Sequence, residues 1–386
     1  MRFLCPVLLF SMCLPAAAQE KSTDTPKAKY DAILKDYLKA QYEYFARMKS
    51  AKTLADQGVL FREQNPQPAA AHKLLELAAA HPKDPVAYDC LTWIVQNSEF
   101  GPAAEKPYAE AIRLLATRHA DHKDNENLLE RMGNSPFTSS AEFLKAVHEK
   151  HPSTVVRGRA AFYWALYLKN YCGTVERLQK EPEFAKNVDL FIGADLARRL
   201  KDADTAKLLR EAEDLFARVE KDYPLVAYKK TNLGKAAAAE LFELRNLAIG
   251  KVVPEIEADD TEGKKFKLSD YRGKVVVLVF WGTWCPHCMA MVPTERALVK
   301  RYEGQPFAMV GVNSDIDLDK LKPALVKHDI TWRSFYDGPT ITGPIASQWN
   351  VIGWPVIYVI DAKGVIRHRG LRGEQLEQAV AELMKK

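Results

Sequence analysis

Cysteine is scarce in this chain, and no second Cys-x-x-Cys pair accompanies the one at positions 285 and 288. The 386 residues contain six cysteines. A structural zinc site needs about four ligands, and the paired histidines at 119/122 and 148/151 belong to a helical region instead. The sequence therefore predicts no metal site, and it implies no organic cofactor.

A long basic run is also missing. The chain has 55 basic and 50 acidic residues, a formal net charge of +5. A protein that binds nucleic acid usually concentrates basic residues on one surface. The near balance of charge over this length does not favour a nucleic-acid partner.

No stretch reaches the ~18 apolar residues that a membrane helix needs. Near the N-terminus, Arg2 precedes a short apolar run that ends at Leu14, and three small residues, Ala16 to Ala18, follow. This pattern predicts a signal peptide, residues 1–18, cleaved after Ala18. The alternatives are a buried N-terminal helix and lipidation at Cys13. We expect a periplasmic or secreted protein, in a compartment where disulfides persist.

Residues 28–250 form a long region with helical periodicity. Ala, Leu, Glu and Lys dominate it, and apolar residues recur at steps of three and four. Pro82, Pro152 and Pro224 each follow a predicted helix at intervals of about 70 residues, twice the 34-residue period of tetratricopeptide hairpins. The region loosely resembles such a repeat array, and a plain helical bundle is the alternative.

Residues 252–386 follow a different pattern, in which strands alternate with helices. The run "KVVVLVFWG" is continuously apolar, as expected for a strand buried on both faces. The predicted order is strand, helix, strand, helix, strand, strand, helix, a mixed sheet flanked by helices. The fold class is thus an all-α region followed by an α/β domain.

Cys285 and Cys288 lie where the first of these strands gives way to a helix. Unpaired N–H groups and the positive end of the helix dipole stabilise a thiolate there, so we expect a lowered pKa and a nucleophilic Cys285. Cys288, one turn further on, is placed to resolve a mixed disulfide. This predicts a redox-active pair.

Three features give the C-terminal third a family likeness. They are the stretch "LSDYRGKVVVLVFWGTWCPHC", Pro293 five residues after the second cysteine, and the stretch "VIGWPVIYVIDAKGVIRHRG". Together they resemble the thioredoxin-fold domain of the TlpA/ResA group of extracytoplasmic thiol-disulfide oxidoreductases. The resemblance implies that Pro355 is a cis-proline facing the cysteine pair, and that Trp284 and Trp354 flank the pair as an apolar surface for substrate.

The chain departs from this family at the acids that assist proton transfer. Met291 stands three residues after the second cysteine, where the family often has an acid. Val279 stands six residues before the first cysteine, where thioredoxins have a buried acid. The nearest acid, Glu295, is expected to be solvated. His287 would stabilise a Cys285 thiolate, and its Pro-His dipeptide is also that of the oxidising DsbA proteins. The surrounding domain resembles reductases, whereas the dipeptide resembles an oxidant. We interpret the pair as one that reduces protein substrates rather than one that oxidises them.

Other interpretations remain open at this stage. The helical region is also consistent with a module that binds a protein partner, with the redox domain appended. A thiol peroxidase of the peroxiredoxin type shares the "LSDYRGK" stretch, but it needs Thr or Ser three residues before its reactive cysteine, where Cys285 precedes Cys288. Cys90 and Cys172 are expected to be buried thiols, with a disulfide between them as the alternative. Redox exchange also requires a recycling partner, which the sequence does not identify.

Overall fold

The computed structural model describes residues 24–98, 102–181, 185 and 194–385. The predicted signal peptide lies outside these residues. The chain divides into two compact units. One contains the described residues up to His119 and those from 194 to 197, and the other contains Ala120 to Ala185 and everything described from Arg198 onward. The boundary near residue 250 stays a prediction. Among the described helices, none is long and apolar enough to cross a membrane.

Helices form the first unit. They are α1 (Pro26–Ser50), α2 (Leu54–Gln64), α3 (Gln67–Ala80), α4 (Pro85–Asn97) and α5 (Pro102–Arg118). Local sequence sets several of their starts: the side chains of Thr25, Thr53 and Asp84 each accept a hydrogen bond from a backbone N–H of the first turn. The apolar faces of α3 and α4 pack together, with Leu74 and Ile94 fully buried.

The second unit begins with more helices. They are α6 (Glu126–Gly133), α7 (Ser140–Lys150), α8 (Thr154–Lys180), α9 (Ala194–Lys201, whose second half belongs here), α10 (Thr205–Asp222) and α11 (Leu233–Asn246). A small antiparallel hairpin, β1 (Ala227–Tyr228) with β2 (Thr231–Asn232), precedes α11. The long helix α8 packs against α6, α7 and α10 and forms the centre of this part.

The three prolines of the predicted repeat do lie just after helix ends. Pro82 follows α3, Pro152 follows α7 and Pro224 follows α10. A second helix begins within a few residues of the first two prolines, whereas the β1–β2 hairpin comes between Pro224 and α11. The repeat itself stays a prediction.

The C-terminal part of the second unit is a mixed sheet with helices. Its elements are β3 (Glu257–Asp259), β4 (Lys265–Lys267), β5 (Val275–Trp281), α12 (Pro286–Arg301), β6 (Phe307–Asn313), α13 (Leu318–Lys327), β7 (Ser334–Tyr336), α14 (Pro344–Gln348), β8 (Val356–Ile360), β9 (Ile366–Arg369) and α15 (Gly373–Met384). The five-stranded sheet has the order β7-β6-β5-β8-β9, with β5, β6 and β7 parallel and β8 and β9 antiparallel to their neighbours. The predicted α/β fold is confirmed. The structure adds β7, α14 and the β3–β4 hairpin, which are too short to give a periodic signal.

Strand β5 is the central strand and is buried along its whole length. Alternate residues point to opposite faces. Val277 and Val279 contribute to the apolar layer that includes residues of α12 and α15, and Leu278 and Phe280 pack on the other face with Trp349. Fully burying each such side chain stabilises the fold by about 1.5–3 kcal/mol. This packing fixes where β5 ends and therefore where the cysteine pair lies.

Helix α11 contacts the sheet region through a buried carboxylate. Glu243 accepts hydrogen bonds from Lys169 on α8 at 2.7 Å, from Asn350 at 2.6 Å and from Arg369 on β9. Burial opposes ionisation of Glu243, but Lys169 and Arg369 outweigh it and hold the pKa of this carboxyl below its usual value. The helices before residue 250 and the sheet after it are thus connected by ion pairs within one compact unit.

Candidate active site

Cys285 and Cys288 form a disulfide at the start of α12, with their Cα atoms 5.3 Å apart. Cys285 is the N-cap of the helix, and its sulfur accepts the backbone N–H of Cys288 at 3.1 Å. Pro286 occupies the first helical position, where its missing N–H costs nothing and its fixed φ suits the helix. Both cysteines are nearly buried, at 4% and 2% exposed.

His287 is the second residue of α12, and its side chain is exposed. Within the described chain no hydrogen-bond partner is found for its imidazole. The ring is therefore available to solvent, or to an incoming molecule, beside the disulfide.

The two predicted tryptophans meet next to the cysteine pair. The rings of Trp284 and Trp354 are 5.3 Å apart in an edge-to-face arrangement. Both indole N–H groups donate to Ser314, Trp284 to its backbone oxygen at 3.1 Å and Trp354 to its hydroxyl at 3.2 Å. Gly282 makes the position of Trp284 possible, because a Cβ at residue 282 would lie 2.5 Å from the Trp284 Nε1 atom.

The peptide bond between Trp354 and Pro355 is cis, as the family resemblance implied. Pro355 is buried, and its carbonyl oxygen accepts a hydrogen bond from Arg372 at 3.3 Å. Trp354 packs against the same apolar cluster that contains Cys285 and Cys288. The structure thus brings together the site residues that the sequence predicted, at the carboxyl ends of β5 and β6.

Sequence analysis missed Thr283, Ser314 and Asp315 as parts of this site. Asp315 is 6% exposed and accepts hydrogen bonds from the backbone N–H of Thr283 at 2.9 Å and from its hydroxyl at 2.5 Å. The available signal was the polar run "NSD", which begins at the last residue of the apolar strand β6. Parallel strands β5 and β6 end at the same edge of the sheet, so this run lies beside the cysteine loop.

Glu295 is a correction to the sequence analysis, which expected it to be solvated. It is 3% exposed and lies two turns after Cys288 on the same face of α12, together with Met291. Burial raises the pKa of Glu295 to about 7. The expectation was wrong because a spacing of seven residues returns to the same face of a helix, here the face that packs on the sheet.

Cys90 and Cys172 are both free and buried, so the alternative of a disulfide between them is wrong. Burial raises the pKa of the Cys90 thiol to about 12 and that of Cys172 to about 11. Such thiols remain protonated and unreactive at neutral pH. In the residues that the structure describes, no cluster of His, Cys, Asp and Glu is arranged to hold a metal.

The domain that carries the cysteine pair is similar to known proteins. Residues 249–369 match the AhpC/TSA family. Among solved structures, the thioredoxin domain of a thiol-disulfide oxidoreductase from Bacteroides vulgatus is similar, with 26% identity, a TM-score of 0.33 and coverage of 36% of this chain and 99% of that one.

The curated relatives carry the family assignment. Thiol-disulfide oxidoreductase ResA of Bacillus thuringiensis subsp. konkukian is 31% identical over 140 residues, which span 36% of this chain and 79% of ResA. ResA of Geobacillus thermodenitrificans is 39% identical over 136 residues, or 35% and 76% of the two chains. Through its C-terminal thioredoxin-like domain, this chain therefore belongs to the ResA-like family of thiol-disulfide oxidoreductases.

Proposed function

We propose that the Cys285–Cys288 pair of this enzyme reduces disulfides in protein substrates outside the cytoplasm. The observation that carries the proposal is the disulfide at the N-terminus of α12, where Cys285 caps the helix. The unpaired N–H groups and the dipole of that end favour a thiolate on Cys285 once the pair is reduced. The extracytoplasmic location rests on the predicted signal peptide.

The exchange reaction takes two steps. The Cys285 thiolate attacks one sulfur of the substrate disulfide, so a mixed disulfide forms and one substrate thiolate leaves. Cys288 then loses its proton and attacks the Cys285 sulfur, which restores the Cys285–Cys288 bond and releases the second substrate thiolate. Two electrons pass from the dithiol to the substrate, and a recycling dithiol partner, itself oxidised to a disulfide, supplies two electrons that reduce the enzyme again.

An apolar surface around the disulfide favours disulfides in protein substrates over small-molecule disulfides. Trp284 is 42% exposed, Ile316 54% and Ile352 91%. Neither Ile352 nor Gly353 has a backbone hydrogen-bond partner among the described residues, so the segment before Pro355 is free to pair with an extended substrate strand. We assign substrate positioning to Trp284, Trp354 and this segment.

The measurement that tests the direction of electron flow is the reduction potential of the pair, obtained by equilibration with glutathione. A value of about −250 mV or lower supports a reductase, whereas a value of about −130 mV supports an oxidase of the DsbA kind. Cys285→Ser is the control, because it leaves no pair to titrate. A wild-type pair that neither reduces nor reoxidises contradicts the redox function itself.

The helical region supports a second candidate function, the recruitment of a protein partner. Leu38, Tyr42 and Phe45 lie on one face of α1 and are 62%, 80% and 52% exposed, and such apolar stripes mark interaction surfaces. The double variant Y42S/F45S tests it. Slower exchange on large protein disulfides, with unchanged exchange on glutathione disulfide, supports recruitment, and equal effects on both substrates argue against it.

A further inference from the structure

The carboxylate of Asp315 connects two strand ends beneath the cysteine loop. Its two oxygens accept hydrogen bonds from Thr283, as described above, and one of them also accepts the Asn313 side-chain amide at 2.7 Å. The Asp315 backbone N–H donates back to the Asn313 side chain at 3.2 Å. The group is buried and satisfied by neutral donors. No cation pairs with it in the described part of the chain.

Thr283 connects Asp315 to the loop that carries the reactive cysteine. It lies two residues before Cys285, and the Cys285 backbone N–H donates to Gly282 at 3.1 Å, which closes a tight turn. Because consecutive Cα atoms are about 3.8 Å apart, the Thr283 nitrogen lies within about 9 Å of the Cys285 Cα atom. A shift of Thr283 therefore moves the start of α12.

Ser314, the neighbour of Asp315, extends the same connection to the segment before Pro355. It accepts the indole N–H groups of Trp284 and Trp354, the residues that precede Cys285 and Pro355. One short segment after β6 thus contacts both the loop before Cys285 and the segment before Pro355.

We propose that Asp315 is a positioning residue for thiol–disulfide exchange, which fixes the Cys285 loop through Thr283 and keeps an unpaired negative charge beside it. The inference rests on the proposed function, because it takes Cys285 as the attacking residue. A nearby negative charge disfavours the Cys285 thiolate. A less stable reduced form makes the couple more reducing. Asp315 therefore opposes the helix dipole, which stabilises the Cys285 thiolate.

Among the described residues, the other charged groups near the disulfide lie on several elements. His287 and the buried carboxyl of Glu295 lie on α12, Arg372 contacts the Pro355 carbonyl, and Asp317 caps α13 and pairs with Lys320 at the surface. Asp317 is the matched control, because it carries the same charge two residues away in solvent, where salt screens it.

The test compares wild type, Asp315→Asn and Asp317→Asn as full-length reduced proteins. Two quantities are measured: the pH midpoint of Cys285 alkylation by iodoacetamide, read by mass spectrometry, and the redox equilibrium with glutathione. We expect Asp315→Asn to lower the midpoint by about half a unit or more and to shift the equilibrium about threefold towards the reduced protein, or about 15 mV. We expect Asp317→Asn to match wild type.

Thr283→Val keeps the Asp315 charge and removes one hydrogen bond, so it tests positioning even if Asp315→Asn fails to fold. We expect its exchange rate to fall about fivefold with no decrease of the alkylation midpoint. Wild-type values for Asp315→Asn in both measurements, or a wild-type exchange rate for Thr283→Val, would overturn the proposal. A wild-type enzyme without any exchange would instead overturn the proposed function.

Discussion

Glu243 on α11 and Arg369 on β9 form an ion pair although 126 residues separate them in the chain. The Glu243 side chain is only 7% exposed, and Lys169 of α8 pairs with the same carboxylate. Removing the Glu243 carboxylate takes the partner from Arg369 and leaves Lys169 paired with Glu240 alone, and breaking a buried ion pair in this way is destabilising. This relationship leads to the first prediction.

We expect Glu243→Gln to lower the free energy of unfolding by about 3 kcal/mol, measured by urea denaturation. The control is Glu213→Gln, which breaks the exposed pair with Arg245 and should cost less than about 1 kcal/mol. Equal losses for the two variants would show that the buried carboxylate does not hold the helices to the sheet.

The second prediction concerns Glu295 and the pH dependence of stability. Its pKa is about 7 in the folded protein, against an ordinary value of 4.5. The folded state therefore binds the proton more tightly than the unfolded state, and its stability falls as the pH rises from about 4.5 to about 7. Above that range, Glu295→Gln should be more stable than wild type by about 3 kcal/mol, since each pKa unit corresponds to about 1.4 kcal/mol.

Denaturation curves between pH 4 and pH 8 measure this effect. The control variant is Glu303→Gln, because Glu303 is exposed and lies just after the end of α12. Its effect on stability is not expected to change with pH in this way. A stability difference between Glu295→Gln and wild type that is the same at every pH would contradict the prediction.

The third prediction separates the roles of the two cysteines. In Cys288→Ser, the mixed disulfide on Cys285 is not resolved, so a covalent enzyme–substrate adduct should accumulate and be visible by mass spectrometry. Cys285→Ser should give no adduct. The double variant C90S/C172S should exchange at the wild-type rate, because those thiols are buried and protonated. Adducts on Cys288 in the Cys285→Ser variant would reverse the assignment.

The fourth prediction concerns Trp354 and the apolar surface around the disulfide. Trp354→Ala removes the ring that contacts Trp284 and the bond to Ser314. We expect KM for a disulfide-linked peptide to rise about tenfold, because lost apolar contact weakens binding by about 1–2 kcal/mol. Exchange with glutathione disulfide, which is too small to cover the surface, should change little. A similar loss with both substrates would point to a displaced Cys285 instead.

Several features of the fold could be predicted because their signals are local. The uninterrupted apolar run of β5 is typical of a strand buried on both faces, and Cys285-Pro286 shortly after it is typical of the start of a helix. The helix ends before Pro82 and Pro152 are equally local, because proline lacks the N–H for a helical hydrogen bond and disfavours helical geometry in the residue before it. Strand β7 has only three residues, so it depends on pairing with β6 and carries no periodic pattern of its own.

Glu295 and Asp315 show where sequence reasoning ends. An acid two turns along a helix is exposed or buried according to which face of the helix packs on the sheet. Asp315 follows β6 by sequence, but its contact with Thr283 arises from the parallel pairing of β5 and β6.

The cysteine pair, its position at a helix start and the family likeness could be predicted, since each depends on residues close together in the chain. Which distant groups surround that pair depends on the packing of strands and helices. Ser314 meets both tryptophans, Asp315 anchors Thr283, and Glu243 meets Arg369, because strand order and helix packing bring together residues that no local pattern relates. Burial then gives each of these polar contacts its energetic weight, as few waters compete for them.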